Sequence, residues 1–155
     1  MANILFGRDP ARLLRTNIHG RVKGLVDRGL TPCLRTVRVG DDDAAAGYVR
    51  GIGRAGQRVG VNVENDLLPS NTSSEEVVEH MHRLNTNDSV HGIFLAVPFP
   101  DQIEEAVVVD SLVANKDVDR VSSTALGELM TGRVKIGPAT AAGPARAERT
   151  WPRFP

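Results

Sequence analysis

The sequence predicts an α/β fold, a three-layer single domain on a mainly parallel sheet. Three observations predict it. Stretches with apolar residues at helical spacing alternate along the chain with short runs rich in β-branched residues, and such alternation implies parallel strands joined by right-handed crossovers. The run 92–97 is continuously apolar, as in a strand covered on both faces. At 155 residues the chain has the usual size of one domain and can bury roughly two thirds of its unfolded surface.

The elements follow in order. Asp9 reads as a helix N-cap with Pro10 in the first helical position, and Leu14, Ile18, Val22, Leu25 and Val26 then recur at helical spacing up to Gly29. Residues 34–39 read as a strand, Val37 and Val39 alternating with Arg38. A second helix is expected over 44–59, with Tyr48, Ile52, Ala55 and Val59 on one face. It carries Gly47, Gly51, Gly53 and Gly56, each costing up to about 1 kcal/mol against alanine, so packing or a close ligand must compensate, or the helix is partly irregular. Residues 61–68 form a second strand closed by Pro69. Ser73 to Glu76 is a capping box for a helix bearing Val77, Val78, Met81 and Leu84. After the apolar strand, 103–114 reads as helix and 124–130 as a shorter one. The domain is expected to occupy 1–136. The remainder, 137–155, is dominated by Ala, Gly, Pro and Arg and reads as an extended or disordered tail, with Trp151 or Phe154 as candidates to pin it.

Composition narrows the function classes. The 19 basic and 19 acidic side chains balance, and with no basic stripe or stacking series of aromatics a nucleic-acid partner is not expected. No apolar run approaches a membrane span, and the N-terminus lacks the charged and apolar regions of a signal peptide. The single cysteine, Cys33, excludes an internal disulfide, so a cytoplasmic location is the default. The preference for arginine over lysine, with abundant alanine and glycine, is compatible with a GC-rich bacterial source. No Walker loop occurs, and the one G-x-G-x-x-G, Gly51 to Gly56, falls inside the second helical stretch and not at a turn from strand to helix, so neither a Rossmann domain nor a nicotinamide cofactor is expected. His80 and His82 lie two apart on a helix and cannot share a face, and the adjacent Asp41, Asp42 and Asp43 read as a solvated turn; no metal is expected.

Several motifs in one order carry a family resemblance. The segment Val39-Gly40-Asp41-Asp42-Asp43-Ala44-Ala45-Ala46-Gly47-Tyr48-Val49-Arg50-Gly51-Ile52 resembles the V-G-D-D-P-A-S-x-x-Y-V-x-x-K signature of the methylenetetrahydrofolate dehydrogenase/cyclohydrolase family. Residues 85–92 are similar to its L-N-x-D-x-x-V-D-G-I, Pro98-Phe99-Pro100 to its Q-L-P-L-P, Asn115-Lys116-Asp117-Val118-Asp119 to its K-D-V-D-G, and 138–143 to its P-C-T-P-x-G. The resemblance implies the N-terminal catalytic domain of that family. It also implies where this chain departs from it. Ile52 stands where the family has its acid/base lysine, Ala96 where it has the assisting glutamine, Ala45 for the serine, and Arg120 for the glycine after the second aspartate.

The resemblance further implies a pocket in which Tyr48 packs on a pterin-like ring and Asp119 bonds its polar edge, and these two are the candidate catalytic residues. Ile52, Ala96, Val97, Pro98, Arg120 and Ser122 complete the expected substrate-binding set. The bland readings are a core or rim role for Tyr48, a cap for Asp119, a turn for His91 and a surface position for Arg120, whose functional readings are pairing with Asp119 or a fork presented to an acidic ligand. Ligands in such folds sit beyond the carboxyl ends of the strands, where 40–43, 98–100 and 116–123 should converge. Three functions fit: a repurposed non-redox enzyme of cyclase, isomerase or lyase type; a silent folate or heterocycle binder; or a residual methenyltetrahydrofolate cyclohydrolase. The expected partner is a small molecule with a planar or polycyclic part, with homo-oligomerisation left open.

Overall fold

A computed structural model describes residues 7–133 and 137. Three parallel strands, β1 (Cys33–Val39), β2 (Asn62–Leu68) and β3 (Gly92–Leu95), lie in the order β2-β1-β3. β1 pairs with β2 from Cys33↔Asn62 to Val39↔Leu68 and with β3 from Leu34↔Gly92 to Val37↔Leu95. A parallel bridge from Ile93 to Asp117 adds a further short pairing beside β3, which is what brings the 117–121 loop next to the strand ends. Helices α1 (Arg8–Val26), α2 (Asp43–Val59), α3 (Ser74–Thr86), α4 (Glu105–Asp110) and α5 (Ser123–Met130) complete the described elements.

The larger core lies between the sheet and α3 with α4. Val37, Val39, Ile93 and Leu95 point down to Val77, Met81, Leu84 and Val108, and Val37, Ile93, Val77, Met81 and Val108 are completely buried. This is the period-2 face of the strands meeting the i, i+4, i+7 stripe of α3. On the other face Ala45 and Val49 of α2 meet Ala96, with Phe94 against them. The α-β-α layering expected from the sequence is therefore present. At the edge, Arg35 holds Asp66 by two nitrogens and Glu64 by a third contact of 2.6 Å, tying β1 to β2 through a bidentate fork.

Local chemistry sets the ends. The capping box forms as expected: Ser73 Oγ accepts from Glu76 N–H and the Glu76 carboxylate accepts from Ser73 N–H. α1 begins two residues early, with Gly7 as its N-cap and no side-chain cap bond. Asp9 therefore sits inside the first turn, where its charge faces the positive end of the helix dipole and pairs with Arg12 at 3.4 Å. Helical structure over 103–114 contracts to the six residues of α4, and just past its end Ser111 Oγ donates back to Val108 O. β3 stops at Leu95, although Ala96 N–H still donates to Val37 O. The buried stripe of α2 is Ala45, Val49 and Val59, which leaves Tyr48 and Ala55 exposed. One position of rotation separates this from the expected face.

The four glycines of α2 have different surroundings. A Cβ at Gly56 would stand 2.3 Å from Val63 Cγ2 and 3.2 Å from Val61 O, whereas one at Gly53 meets nothing within 4 Å and those at Gly47 and Gly51 meet only arginine tips at 3.7 and 4.0 Å. Packing accounts for Gly56 alone. The helix itself is regular throughout and ends at Gly60 in the left-handed region, φ 85°. The tail 138–155, with Trp151 and Phe154, lies outside the described residues.

Candidate functional site

A cavity of about 470 Å³ opens at the carboxyl ends of β1 and β3, between the start of α2, the 94–98 segment, α4 and the 119–121 loop. Its position follows from the topology: in an open parallel sheet the loops leaving the strand ends diverge and leave a crevice. The residues of its walls include Tyr48, Phe94, Ala96, Val97, Pro98, Glu105 and Asp119.

α2 is held over the crevice by its N-terminus. Asp42, in extended conformation, accepts Ala45 N–H at 2.6 Å through Oδ1, an ordinary N-cap. One turn further Tyr48 projects outward, 62% exposed, its ring 5.6 Å from that of Phe94 at an angle of 38°. That tilted pair supplies an aromatic wall open to a ligand on one side. Beyond β3 the chain turns at a cis Val97–Pro98 bond, and Val97 is half exposed at the rim.

The 117–122 loop is organised by a residue the motif reading passed over. Asp117 is buried and its carboxylate accepts Arg120 N–H at 2.8 Å and Ser122 N–H at 2.9 Å. This is the commonest use of an aspartate in a loop, satisfying backbone donors that burial would otherwise orphan. The fold thereby separates the two aspartates of the Lys-Asp-Val-Asp run: Asp117 shapes the loop and Asp119 faces the cavity.

Of the expected site residues, the structure brings Tyr48, Ala96, Val97, Pro98 and Asp119 together on the walls. Three do not join them. Ile52 is half-buried on α2, a turn beyond Tyr48, and is not among the lining residues. Arg120 is buried, and its guanidinium runs inward to Ala114 O at 2.9 Å and Glu128 at 3.3 Å. It is not among the residues lining the cavity. Its backbone, φ 57°, lies in the left-handed region, the conformation that a glycine would adopt without strain. Ser122 is 1% exposed, and its Oγ caps α5 by accepting from Ala125 N–H. Arg120 and Ser122 are thus placed as loop and helix supports, with Ile52 a turn beyond the lining.

Phe94, Glu105, Val109 and Val121 line the cavity without having been singled out from the sequence. Phe94 has a local signal, since strand alternation puts it on the face opposite Ile93 and Leu95, toward α2. Glu105 has none, because only the tertiary fold carries α4 to the strand ends. Elsewhere, His91 Nδ1 accepts Cys33 N–H at 3.1 Å, the turn role expected of it. Among the described residues no group of three or more His, Cys, Asp or Glu side chains could hold a metal ion, and no helix is long and apolar enough to cross a membrane.

Comparison with known proteins points one way. Residues 5–119 match the family model described as the catalytic domain of tetrahydrofolate dehydrogenase/cyclohydrolase. A bifunctional protein FolD of Acinetobacter baumannii is 41% identical over 144 residues, covering 92% of this chain and 51% of that protein. Among solved structures, a methylenetetrahydrofolate dehydrogenase of the silkworm Bombyx mori superposes with a TM-score of 0.90 at 31% identity, over 96% of this chain and 52% of the other. The bifunctional FolD enzyme of Campylobacter jejuni gives 0.90 at 28%, over 95% and 52%. The chain spans about half the length of the curated relatives it matches.

Proposed function

Because the chain belongs to the tetrahydrofolate dehydrogenase/cyclohydrolase family, through its catalytic domain, we propose that its cavity receives a planar heterocyclic small molecule and that the ancestral acid/base chemistry has been given up. The pocket then serves a non-redox reaction of cyclase, isomerase or lyase type. One observation carries this reading: the residues facing the cavity keep an exposed aromatic ring and a carboxylate, Tyr48 and Asp119, within otherwise mostly apolar walls. Ile52 and Ala96 stand at the positions where the family has its lysine and glutamine, and neither side chain can move a proton.

The remaining groups permit catalysis by placement. A ring held against Tyr48 and Phe94 is fixed in plane, and a polar edge at Asp119 fixes its rotation; orienting a reactant in this way supplies more acceleration than one generic acid/base step, which is worth about 10²–10⁴ in rate. Asp119 would accept a hydrogen bond from the ligand, or hold a proton as it leaves carbon or nitrogen. The Tyr48 phenol is the second group able to donate. A reading as a silent binder is favoured by one detail: no amine, imidazole or thiol is among the described residues lining the cavity, so every proton-transferring candidate among them is a carboxylate or this phenol.

Calorimetry with folates, pterins and polycyclic compounds tests the pocket. Tyr48→Ala should cost about 1 kcal/mol or more of affinity through the lost ring contact. Asp119→Asn should cost about 1.5–3 kcal/mol through a charge-assisted bond. Hydrolysis of methenyltetrahydrofolate should be negligible, and turnover near one per second, ordinary for an enzyme, would overturn the loss of ancestral chemistry. A ligand whose affinity ignores both substitutions would remove the cavity from consideration.

A further inference from the structure

We infer that Arg38 is a further anchor of the cavity, turning its guanidinium onto an oxyanion of the bound ligand, a carboxylate in the simplest case. This rests on the reading of the cavity as the binding site and names a chemical group that its ligand carries. The observation behind it is a buried donor with nothing to bond. Arg38 Nε is sealed from solvent and has no hydrogen-bond partner, while Nη1 donates to Gly40 O at 2.9 Å. Among the described residues the arginines in ion pairs are Arg12, Arg35, Arg83 and Arg120; Arg38 is not one of them. An arginine keeps its charge at any ordinary pH, and a buried donor left unbonded is costly, the more so on a charged group.

Topology sets this group against the cavity. Val37 and Val39 face α3 and α4, so alternation turns Arg38 to the opposite face of β1, under α2. The register ends at Val37↔Leu95, and Ala96 N–H donates to Val37 O at 2.8 Å. The next step therefore puts Arg38 beside Ala96 on that face, one strand spacing of about 4.8 Å away. Ala96 lines the cavity, and so does Asp42, two residues beyond the carbonyl that holds Nη1. The guanidinium is thus bracketed by two lining residues without lining the cavity itself. Position 96 is where the family has its glutamine, and here it offers only a methyl group. A donor has been lost there, and the adjacent strand carries one able to take its place. Rotation of the Arg38 side chain from Gly40 O past that methyl frees the unbonded Nε. It then presents Nε and an Nη as a fork to two oxygens, the arrangement in which arginine holds a carboxylate best.

Two flat probes isolate the anchor by calorimetry on the full chain: 2-naphthoate, and 2-naphthamide, its neutral amide. Naphthoate should bind the more tightly. Arg38→Met, which keeps the stem and removes the charge, should weaken naphthoate about ten-fold, as the loss of a charged hydrogen bond does, and leave naphthamide almost unchanged. Arg38→Lys should recover only part of the difference, since it restores a charge without the fork. Heteronuclear NMR gives a readout on the unaltered protein: the Arg38 Nε–Hε signal, identified by its loss in either variant, should shift on adding naphthoate and hold still on adding naphthamide. Tyr48→Ala should weaken both probes. Equal affinity of the two probes, an Arg38→Met effect shared equally between them, or an Nε–Hε signal that ignores naphthoate would each overturn the anchor while a Tyr48-dependent cavity stands. If Tyr48→Ala moves neither probe, the cavity reading and the anchor fall together.

Discussion

Alanine at Gly56 and at Gly53 should move stability in opposite directions, although the two glycines lie three apart on one helix. In a helix interior, replacing glycine by alanine gains about 1 kcal/mol from propensity alone. At Gly53 nothing lies within 4 Å of the new Cβ, so the full gain should appear. At Gly56 the Cβ would be 2.3 Å from Val63 Cγ2, where carbon atoms prefer about 3.5–4.0 Å. Val63 is β-branched and held in a strand, so its χ1 gives way poorly, and the Val61 carbonyl at 3.2 Å blocks retreat along the backbone. Overpacking of this kind costs about 1–3 kcal/mol. Net destabilisation of up to about 2 kcal/mol is expected, leaving a gap of about 1–3 kcal/mol between the two variants. Urea unfolding reads this as a displaced midpoint at constant slope. A Val63→Ala change in the Gly56→Ala background should recover part of the loss, a coupling that the double-mutant cycle isolates. Equal stability of the two alanine variants would refute the close approach of α2 to β2.

Three further outcomes are expected. Arg120→Ala should destabilise by removing the guanidinium from Ala114 O and Glu128, and Arg120→Gly should be about 1 kcal/mol more stable than the alanine variant because only glycine is unstrained at φ 57°; denaturation midpoints in the reverse order would sink the left-handed assignment. Met81→Ala, at a fully buried site between α3 and the sheet, should cost about 2–5 kcal/mol, readable as a thermal shift. Burial pushes the Cys33 thiol above its ordinary range, and the Glu64 carboxylate pushes it further. The folded state thus favours the neutral thiol. Its contribution is fully present below the unfolded-state value, about 8.5, and is lost as pH rises through the higher folded one. Alkylation by iodoacetamide near pH 8.5 should be slower than in the urea-unfolded chain, and Glu64→Gln should speed it; equal rates in the folded and unfolded chains would contradict the shift.

How far the sequence alone reaches can be judged from particular residues. Ser73 and Glu76 specify their capping box locally, and Val77, Met81 and Leu84 show their stripe by spacing, so α3 was legible in full. The apolar run beginning at Gly92 signalled a covered strand and gave β3. The face of α2 was misplaced by one position because Val59 ends both plausible stripes, and only the sheet decides whether Ala45 and Val49 or Tyr48 and Ile52 are covered. Tyr48, Ala96, Val97, Pro98 and Asp119 were legible through motif resemblance. Arg120 and Ser122 were not, since whether a loop side chain turns inward depends on what Asp117, Ala114 and Glu128 offer it. Glu105 lay beyond any local pattern: it is brought to the cavity by a turn and a short helix whose direction is set by packing on Val77 and Met81.

The middle position of β1 has a consequence for the order in which the molecule is assembled. It is the first of the described strands to be synthesised, yet both of its neighbours lie later in the chain, each across an intervening helix or more. Such closures are entropically costly until the contacts they bring arrive, which makes parallel pairing slow. The β1–α2–β2 unit is the shorter closure, and the docking of β3 must span α2, β2 and α3 as well. Because the cavity takes its floor from 94–98 and one wall from 119–121, it does not exist until that later docking is done. A small molecule that fits the cavity therefore recognises only finished chains, and by mass action it draws the population toward them. A bound ligand would then raise the folded fraction as well as fill the cavity.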